Sequence, residues 1–338
     1  MGKIDNANCI LDVKDLKILG ELDNDSRQSN SKIGKKVGLS KEVVKYRIDS
    51  LIKRGIIVKF QTIINYFKLG IIKFKLYLRF RNIDKNKLEG IAEYFYKHKK
   101  TEWVALTTGE WDLISGFLVN NINEFDDEVQ TVLDKLSNHL QDKAVTATLY
   151  LAHQSHKFIH KKKQNALSKI VYHTTKDFQE KVNAFDMALL RILTNNARLQ
   201  VTEIAKLLKT TPRVIAHRMK SLERKKIILG YRVHLNPKAM NKIFCKAIIY
   251  LQHTTKEKLD NFVSYASSLP NAIWPQRVMG AWDFELDLEL ESYEHFQEVL
   301  AELKEKFPNV IRDYEFCIVS KEFKFDIFPM AYQIVKPK

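Results

Sequence analysis

Two short stretches concentrate side chains able to read a nucleic acid. One starts at Ser40 and offers Ser40, Lys41, Lys45 and Tyr46, while the other starts at Thr211 and offers Thr211, Arg213 and His217. On the N-terminal half of a helix seated in a major groove, such groups reach base edges, and lysines and arginines around them neutralise phosphates. The two sets differ, so a bound site should have two dissimilar halves rather than a palindrome. Other candidates are weaker. His153, His156 and His160 fall at i, i+3 and i+7, a metal-like spacing, but no carboxylate or thiol joins them and the run ends in three lysines. A linker touching phosphate or solvent fits them better. Glu285, Asp287 and Glu289, spaced by two on one strand, share a face that would repel a ligand carboxylate and favour a cationic partner or plain solvent. Glycine-rich phosphate loops, metalloprotease helices and nucleophile elbows are all missing, so catalysis has no sequence support and neither a cofactor nor a metal is expected.

The chain has 338 residues, is 45% hydrophobic and 28% charged, and contains 11 Gly and 7 Pro. That composition excludes low-complexity and collagen-like chains, and the length allows two or three domains. Cys9, Cys245 and Cys317 are too few and too scattered for a disulfide framework or a zinc site, which points to a reducing, cytoplasmic compartment. With no apolar run of about 18 residues and no signal-peptide core, no membrane partner is expected. The net charge of +16 divides into +5 over residues 1–60, 0 over 61–154, +13 over 155–235 and −2 over 236–338. Two basic blocks, each followed by a neutral or acidic one, make a repeating layout.

Shifting the sequence by 171 residues lays it on itself without a gap. Asp15 meets Asp186, Arg27 meets Arg198, Arg47 meets Arg218, Trp103 meets Trp274, Gly109 meets Gly280, Trp111 meets Trp282 and Asp112 meets Asp283. The chain is therefore two copies of one two-domain unit. The boundaries read as 1–65 and 182–236 for two winged helix-turn-helix domains, 66–152 and 237–338 for two ferredoxin-like domains, and 153–181 for a basic, partly helical linker.

Each copy opens with three helices. In copy 1, Val13, Leu16, Leu19 and Leu22 recur at helical spacing, a short helix covers Ser31 to Val37, and a longer one runs from Lys41 to about Lys53 with Ser40 as its N-cap. Gly34 allows two helices to cross closely, and Gly38 makes the turn. Copy 2 keeps a small residue, Ala205, but has Lys209 at the turn, where a positive φ costs roughly 1 kcal/mol without glycine. GIIVKFQTIIN and KIILGYRVHLN read as small β ribbons, or wings, on which Lys59 and Arg232 are candidate phosphate contacts. The rest of each unit reads βαββαβ, with KFKLYLRF alternating as a half-buried strand. The fold class is thus α+β, with helices on one sheet face and apolar residues such as Trp111, Leu113 and Ile114 calling for cover on the other.

The pattern LDVKDLKILGELDNDSR...SKIGKKVGLSKEVVKYRIDSLIKRGII, followed by a βαββαβ block with GEWD and then GAWD, resembles the Lrp/AsnC (feast/famine) transcription regulators over essentially the whole chain, twice. The resemblance implies double-stranded DNA as partner and two sheets packing face to face as an intrachain pseudo-dimer. It also implies further association through the ferredoxin-like (RAM-like) domains and a small-molecule, amino-acid-like effector near the Gly-x-x-Asp turns formed by Gly109 with Asp112 and Gly280 with Asp283. Arg47 and Arg218 occupy the arginine of the family's helix pattern, where they contact DNA backbone or form an intradomain salt bridge. The turns could equally serve only as hairpins, with the aspartates capping backbone amides. Siroheme decarboxylases resemble the same domain pair, which gives an enzyme as the alternative. Their His-Asn-Tyr stretch and Asn-x-Trp-Phe strand are not matched by TTGEWDLISGFL or VMGAWDFELDLE, so a regulator rather than an enzyme is expected.

Overall fold

A computed structural model describes residues 11–136, 138–160, 171–175 and 179–328. Copy 1 consists of α1 (Val13–Asn24), α2 (Asn30–Val37), α3 (Lys41–Lys53), β1 (Ile57–Ile64), β2 (Ile72–Phe80), α4 (Lys85–Lys97), β3 (Thr101–Gly109), β4 (Leu113–Val119), α5 (Ile122–Leu136) and β5 (Leu140–His153). A short strand, β6 (Val171–Thr174), precedes copy 2. Copy 2 repeats the order as α6 (Ala184–Asn195), α7 (Val201–Leu207), α8 (Pro212–Arg224), β7 (Ile228–Leu235), β8 (Ile243–Leu251), α9 (Lys256–Ser268), β9 (Ala272–Gly280), β10 (Phe284–Leu290), α10 (Tyr293–Lys306) and β11 (Ile311–Phe325).

Local chemistry starts and stops the helices. Asp12, Ser29 and Ser40 each accept a backbone N–H three residues on, as do Asn183 and Thr211 in copy 2. Gly38 ends α2 in the left-handed region, at φ 68°, and a Cβ on Gly34 would overlap the Leu39 carbonyl, which fixes the tight α2–α3 crossing. The corresponding turn in copy 2 survives without glycine, with Lys209 itself at φ 51°.

The strands after the third helices depart from expectation. Neither folds back into a wing; β1 and β7 instead pair with each other, antiparallel, as a two-stranded ribbon joining the copies. Each is a single eight-residue strand, too short to double back as a hairpin, and its hydrogen-bonding edge is satisfied by the other copy.

The ferredoxin-like sheets go further than face-to-face packing. Within each copy the strands run in the order β5-β2-β4-β3 and β11-β8-β10-β9, and both outer edges are then paired across copies, β11 with β3 and β5 with β9. Eight strands thereby close into a barrel with no free edge, and β6 lies outside against β5. The two seams keep the repeat's register, with Cys317 opposite Gly109 in one and Thr146 opposite Gly280 in the other.

The alternation in KFKLYLRF acquires a different meaning inside this barrel. Phe74, Leu76, Leu78 and Phe80 point outward into a core with α4 and α5, whereas Lys75 and Tyr77 point inward and are fully buried. Tyr77, Trp111, Ile114, Ile248 and Trp282 fill the interior together, so Trp111 and Ile114 are covered, while Leu113 packs on the helix side. Glu285, Asp287 and Glu289 face the same interior and not solvent. Lys75 bonds Glu285 and donates to Gln276 at 2.7 Å, and Lys246 reaches Glu285 at 3.2 Å and Asp287 at 2.5 Å.

The linker differs as well. Residues 161–170, where helix was expected, lie outside those described. The flanking residues are not solvated: His156 is buried, donating its backbone N–H to Asp23 at 2.8 Å, with its ring 3.1 Å from Asp23 and 3.5 Å from Glu289. Burial works against a charged imidazole, but the two carboxylates overcome it and hold His156 up at about 10.

Candidate nucleic-acid interface

Both third helices present one face to solvent. On α3, Lys41, Lys45 and Tyr46 are exposed, Tyr46 by 74%, and Ser40 caps the helix by accepting the Val43 N–H at 3.2 Å. Lys45 forms a surface pair with Asp49 at 2.6 Å, which contributes about 0.3–0.5 kcal/mol and yields readily to a phosphate. On α8, Thr211 caps through the Val214 N–H, and the side chains of Arg213 and His217 engage no other described residue. The inward stripes, Val44, Ile48 and Leu51 on α3 and Ile215, Met219 and Leu222 on α8, anchor each helix in its own small core.

Arg47 and Arg218 sit behind these faces. Arg47 is held by Asp12 at 2.7 Å and Asp15 at 2.8 Å, and those hydrogen bonds raise its pKa further. Arg218 lies 3.6 Å from Asp186 and over the Phe185 ring. Both thus form the intradomain salt bridge, tying the third helix to the first.

Lys59 and Arg232 do not line a wing, because no wing forms. Lys59 bonds the Phe325 carbonyl and sits over its ring, and burial lowers its pKa. Arg232 is buried 3.8 Å from Asp23. Both belong to the joint between the β1–β7 ribbon and its surroundings, so neither is free to meet a phosphate.

Two residues on α8 escaped the sequence reading. Lys220 and Arg224 are exposed and continue the helical face of Arg213 and His217 at i+7 and i+11. Spacing from Arg213 was enough to find them. The equivalent positions on α3 are Glu42, Tyr46, Asp49 and Lys53. The face of α8 is therefore uniformly basic where that of α3 is mixed.

A reciprocal arginine clasp sets how the two readers stand to each other. Arg27 donates to the carbonyls of Ala197 and Leu199, the latter at 3.2 Å. Its repeat partner Arg198 donates to the carbonyls of Ser26 at 2.5 Å and Gln28 at 3.0 Å and to Asn30 at 2.7 Å. Each guanidinium also lies over a ring of the ribbon, Arg27 over Tyr231 and Arg198 over Phe60. Each copy's helical unit thus holds the loop between the first two helices of the other. Arg27→Ala and Arg198→Ala should each cost about 1.5–3 kcal/mol, since each removes charge-assisted hydrogen bonds to half-buried carbonyls. Urea unfolding checks this, and a double variant as stable as the parent would show that the clasp holds nothing.

The Gly-x-x-Asp turns lie on the barrel seams. Gly109 and Gly280 have φ of 118° and 138°, and a Cβ on either would overlap a carbonyl of the opposite copy, Phe316 or Val145. Asp112 accepts the Phe80 N–H at 2.7 Å and Asp283 the Leu251 N–H at 2.8 Å. Gly109 also borders an open cleft of about 480 Å³ with Glu110, Lys304, Tyr314 and Glu315. Among the described residues, no group of three or more histidine, cysteine or acidic side chains could hold a metal, and no helix is long and apolar enough to cross a membrane.

Residues 11–58 match a family model described as winged helix-turn-helix DNA-binding, and residues 182–223 match one described as an AsnC-type helix-turn-helix domain. An uncharacterized HTH-type transcriptional regulator of Pyrococcus horikoshii is 35% identical over 129 residues, which is 38% of this chain and 83% of that protein. The chain belongs to the Lrp/AsnC family of transcriptional regulators. As a DNA-binding regulator of this family it is a tandem form, since its relative corresponds to a single copy. Another relative, the proline dehydrogenase transcriptional activator of Rhodobacter capsulatus, is 25% identical over 130 residues, 38% of this chain and 84% of that one. Among solved structures, the siroheme decarboxylase NirDL matches with a TM-score of 0.62 at 12% identity, covering 92% of both chains. That likeness shows this regulator's tandem fold along its full length and nothing about its chemistry.

Proposed function

We propose that this regulator reads one DNA duplex with both third helices at once, at a site whose halves differ in sequence. The observation that carries the reading is the pair of solvent-facing helices with unlike outer faces, joined by the arginine clasp. Ser40, Lys41, Lys45 and Tyr46 read one half, and Thr211, Arg213 and His217 read the other, with Lys220 and Arg224 on phosphates. Arg47 and Arg218 orient these helices and reach the backbone only at the edge of the groove. Selection of bound fragments from random DNA, followed by footprinting, tests this. Arg213→Ala should weaken protection on one half only and Lys45→Glu on the other, each by about 5- to 150-fold, the effect of losing a contact worth roughly 1–3 kcal/mol. Unchanged protection in both variants overturns the assignment.

Modulation by a small molecule at the cleft beside Gly109 and Asp112, with Gly280 and Asp283 at the equivalent turn, belongs to the same reading, as does further association through the outer faces of the ferredoxin-like domains. The protein acts without catalysis in this reading. The full-length likeness to a siroheme decarboxylase supports one rival, which an absorbance scan after mixing with siroheme separates: a spectral shift with turnover favours the enzyme, and an unchanged spectrum the regulator.

A further inference from the structure

Most apolar side chains of the third helices are buried in their own small cores. Val43 on α3 and Val214 on α8 are not: they are 40% and 39% exposed and belong to neither core cluster. They are also one repeat position, 171 residues apart. Around them the outward face has diverged, Glu42 standing against Arg213, Lys45 against Ala216, Tyr46 against His217 and Asp49 against Lys220. Charge, size and shape all change between the copies, yet one valine stands unaltered among them. Ile52 is exposed as well, but its counterpart is Glu223, so it is not common to the two readers.

The valines sit where base edges are met. The hydroxyls of Ser40 and Thr211 accept the Val43 and Val214 N–H at 3.2 and 3.4 Å, which fixes each valine in the first turn of its helix, the part of such a helix that contacts bases. Tyr46 and His217 follow at i+3 on the same side. A helical valine keeps essentially one χ1 rotamer, so its two methyls are in place before anything binds. The free protein gains nothing from them there, since exposed apolar surface is not buried and branching at Cβ disfavours a helix. Of the groups by which base pairs are told apart in the major groove, the C5-methyl of thymine alone is apolar.

We propose that Val43 and Val214 each pack on the C5-methyl of a thymine at the mirrored step of its half-site, so that the two halves share this one base while the rest of their sequence differs. The inference rests on the two-helix reading above and names the base that both readers recognise.

Replacing thymine by deoxyuridine removes the methyl and keeps every hydrogen-bonding group, so it isolates this contact. In the duplex recovered from random DNA, each thymine is replaced in turn and the affinity of the full chain is measured by fluorescence anisotropy at fixed salt. One position in each half, at the same distance from the centre, should lose about fourfold, the factor for one buried methyl group. Val43→Ala should abolish that loss in one half only and Val214→Ala in the other. Both are surface exchanges to a better helix former, so folding is retained. Equal affinity for every deoxyuridine duplex, or a deoxyuridine effect that persists unchanged in both alanine variants, overturns the shared thymine while the bound parent duplex leaves the two-helix reading standing. Recovery of no duplex at all overturns that reading, and the shared thymine with it.

Discussion

Raising salt from 50 to 200 mM should weaken binding of a selected duplex by about 10³- to 10⁵-fold, the loss expected when roughly 6 to 10 phosphates are neutralised. The basis is the distribution of charge: a surplus of +5 over residues 1–60 and +13 over 155–235, the blocks that carry the two readers, against 0 and −2 in the rest. Because Arg213, Lys220 and Arg224 stand where the first copy has Glu42, Asp49 and Lys53, the second reader should supply the larger share. Exchanging Lys220 and Arg224 for glutamine should reduce the log–log salt slope by about 2, nearly one for each phosphate contact. Fluorescence anisotropy at a series of salt concentrations measures both, and an affinity flat in salt would rule out a duplex as ligand.

Lys75→Met should destabilise the protein by about 3 kcal/mol, the largest single effect expected away from the DNA. Removing one member of a buried ion pair costs about 3–5 kcal/mol because the partner keeps its charge and loses its solvation. Glu285 would retain Lys246 at 3.2 Å, the Trp282 indole N–H at 3.1 Å and Thr146 at 3.1 Å, which places the loss at the lower end. Burial pushes the Glu285 carboxyl up, but Lys75 and Lys246 outweigh it and hold it well below the ordinary range. Lys75 itself is pulled down to about 7, chiefly by burial. Adding Glu285→Ile, the residue type at the equivalent position 114, should recover most of the loss, since Lys246 keeps Asp287 and no carboxylate is stranded. Denaturant unfolding of the two single variants and the double decides. Additive losses would mean that Lys75 and Glu285 do not act as a pair.

The helices were readable because their signals are local. Caps at Ser40 and Thr211, apolar spacing along α3 and α8, and the glycines at 34 and 38 each act within a few residues. The duplication was equally readable, and with it the βαββαβ order. What escaped depends on strands far apart in the chain. Neither the β1–β7 ribbon nor the seams of β3 with β11 and β5 with β9 leaves a mark in either strand alone, because a strand with an unpaired edge and one paired with the other copy have the same alternation. The same reason misplaced side chains. Lys73 and Lys75 alternate with phenylalanine and leucine as solvent-facing residues would, and Glu285, Asp287 and Glu289 look equally solvated until the barrel closes over both sets. Arg27 and Arg198 stood out as coinciding residues in the repeat, but their role needed the neighbouring loops in place.

Both barrel seams and the ribbon lie within one polypeptide. In a regulator assembled from separate subunits, the active fraction falls when cells hold few copies, because pairing is bimolecular. Here the two readers meet at a rate and with a strength that do not depend on how many molecules are present. Occupancy of the target should therefore follow total protein in simple proportion down to the lowest abundance, without the quadratic fall-off that dimerisation imposes.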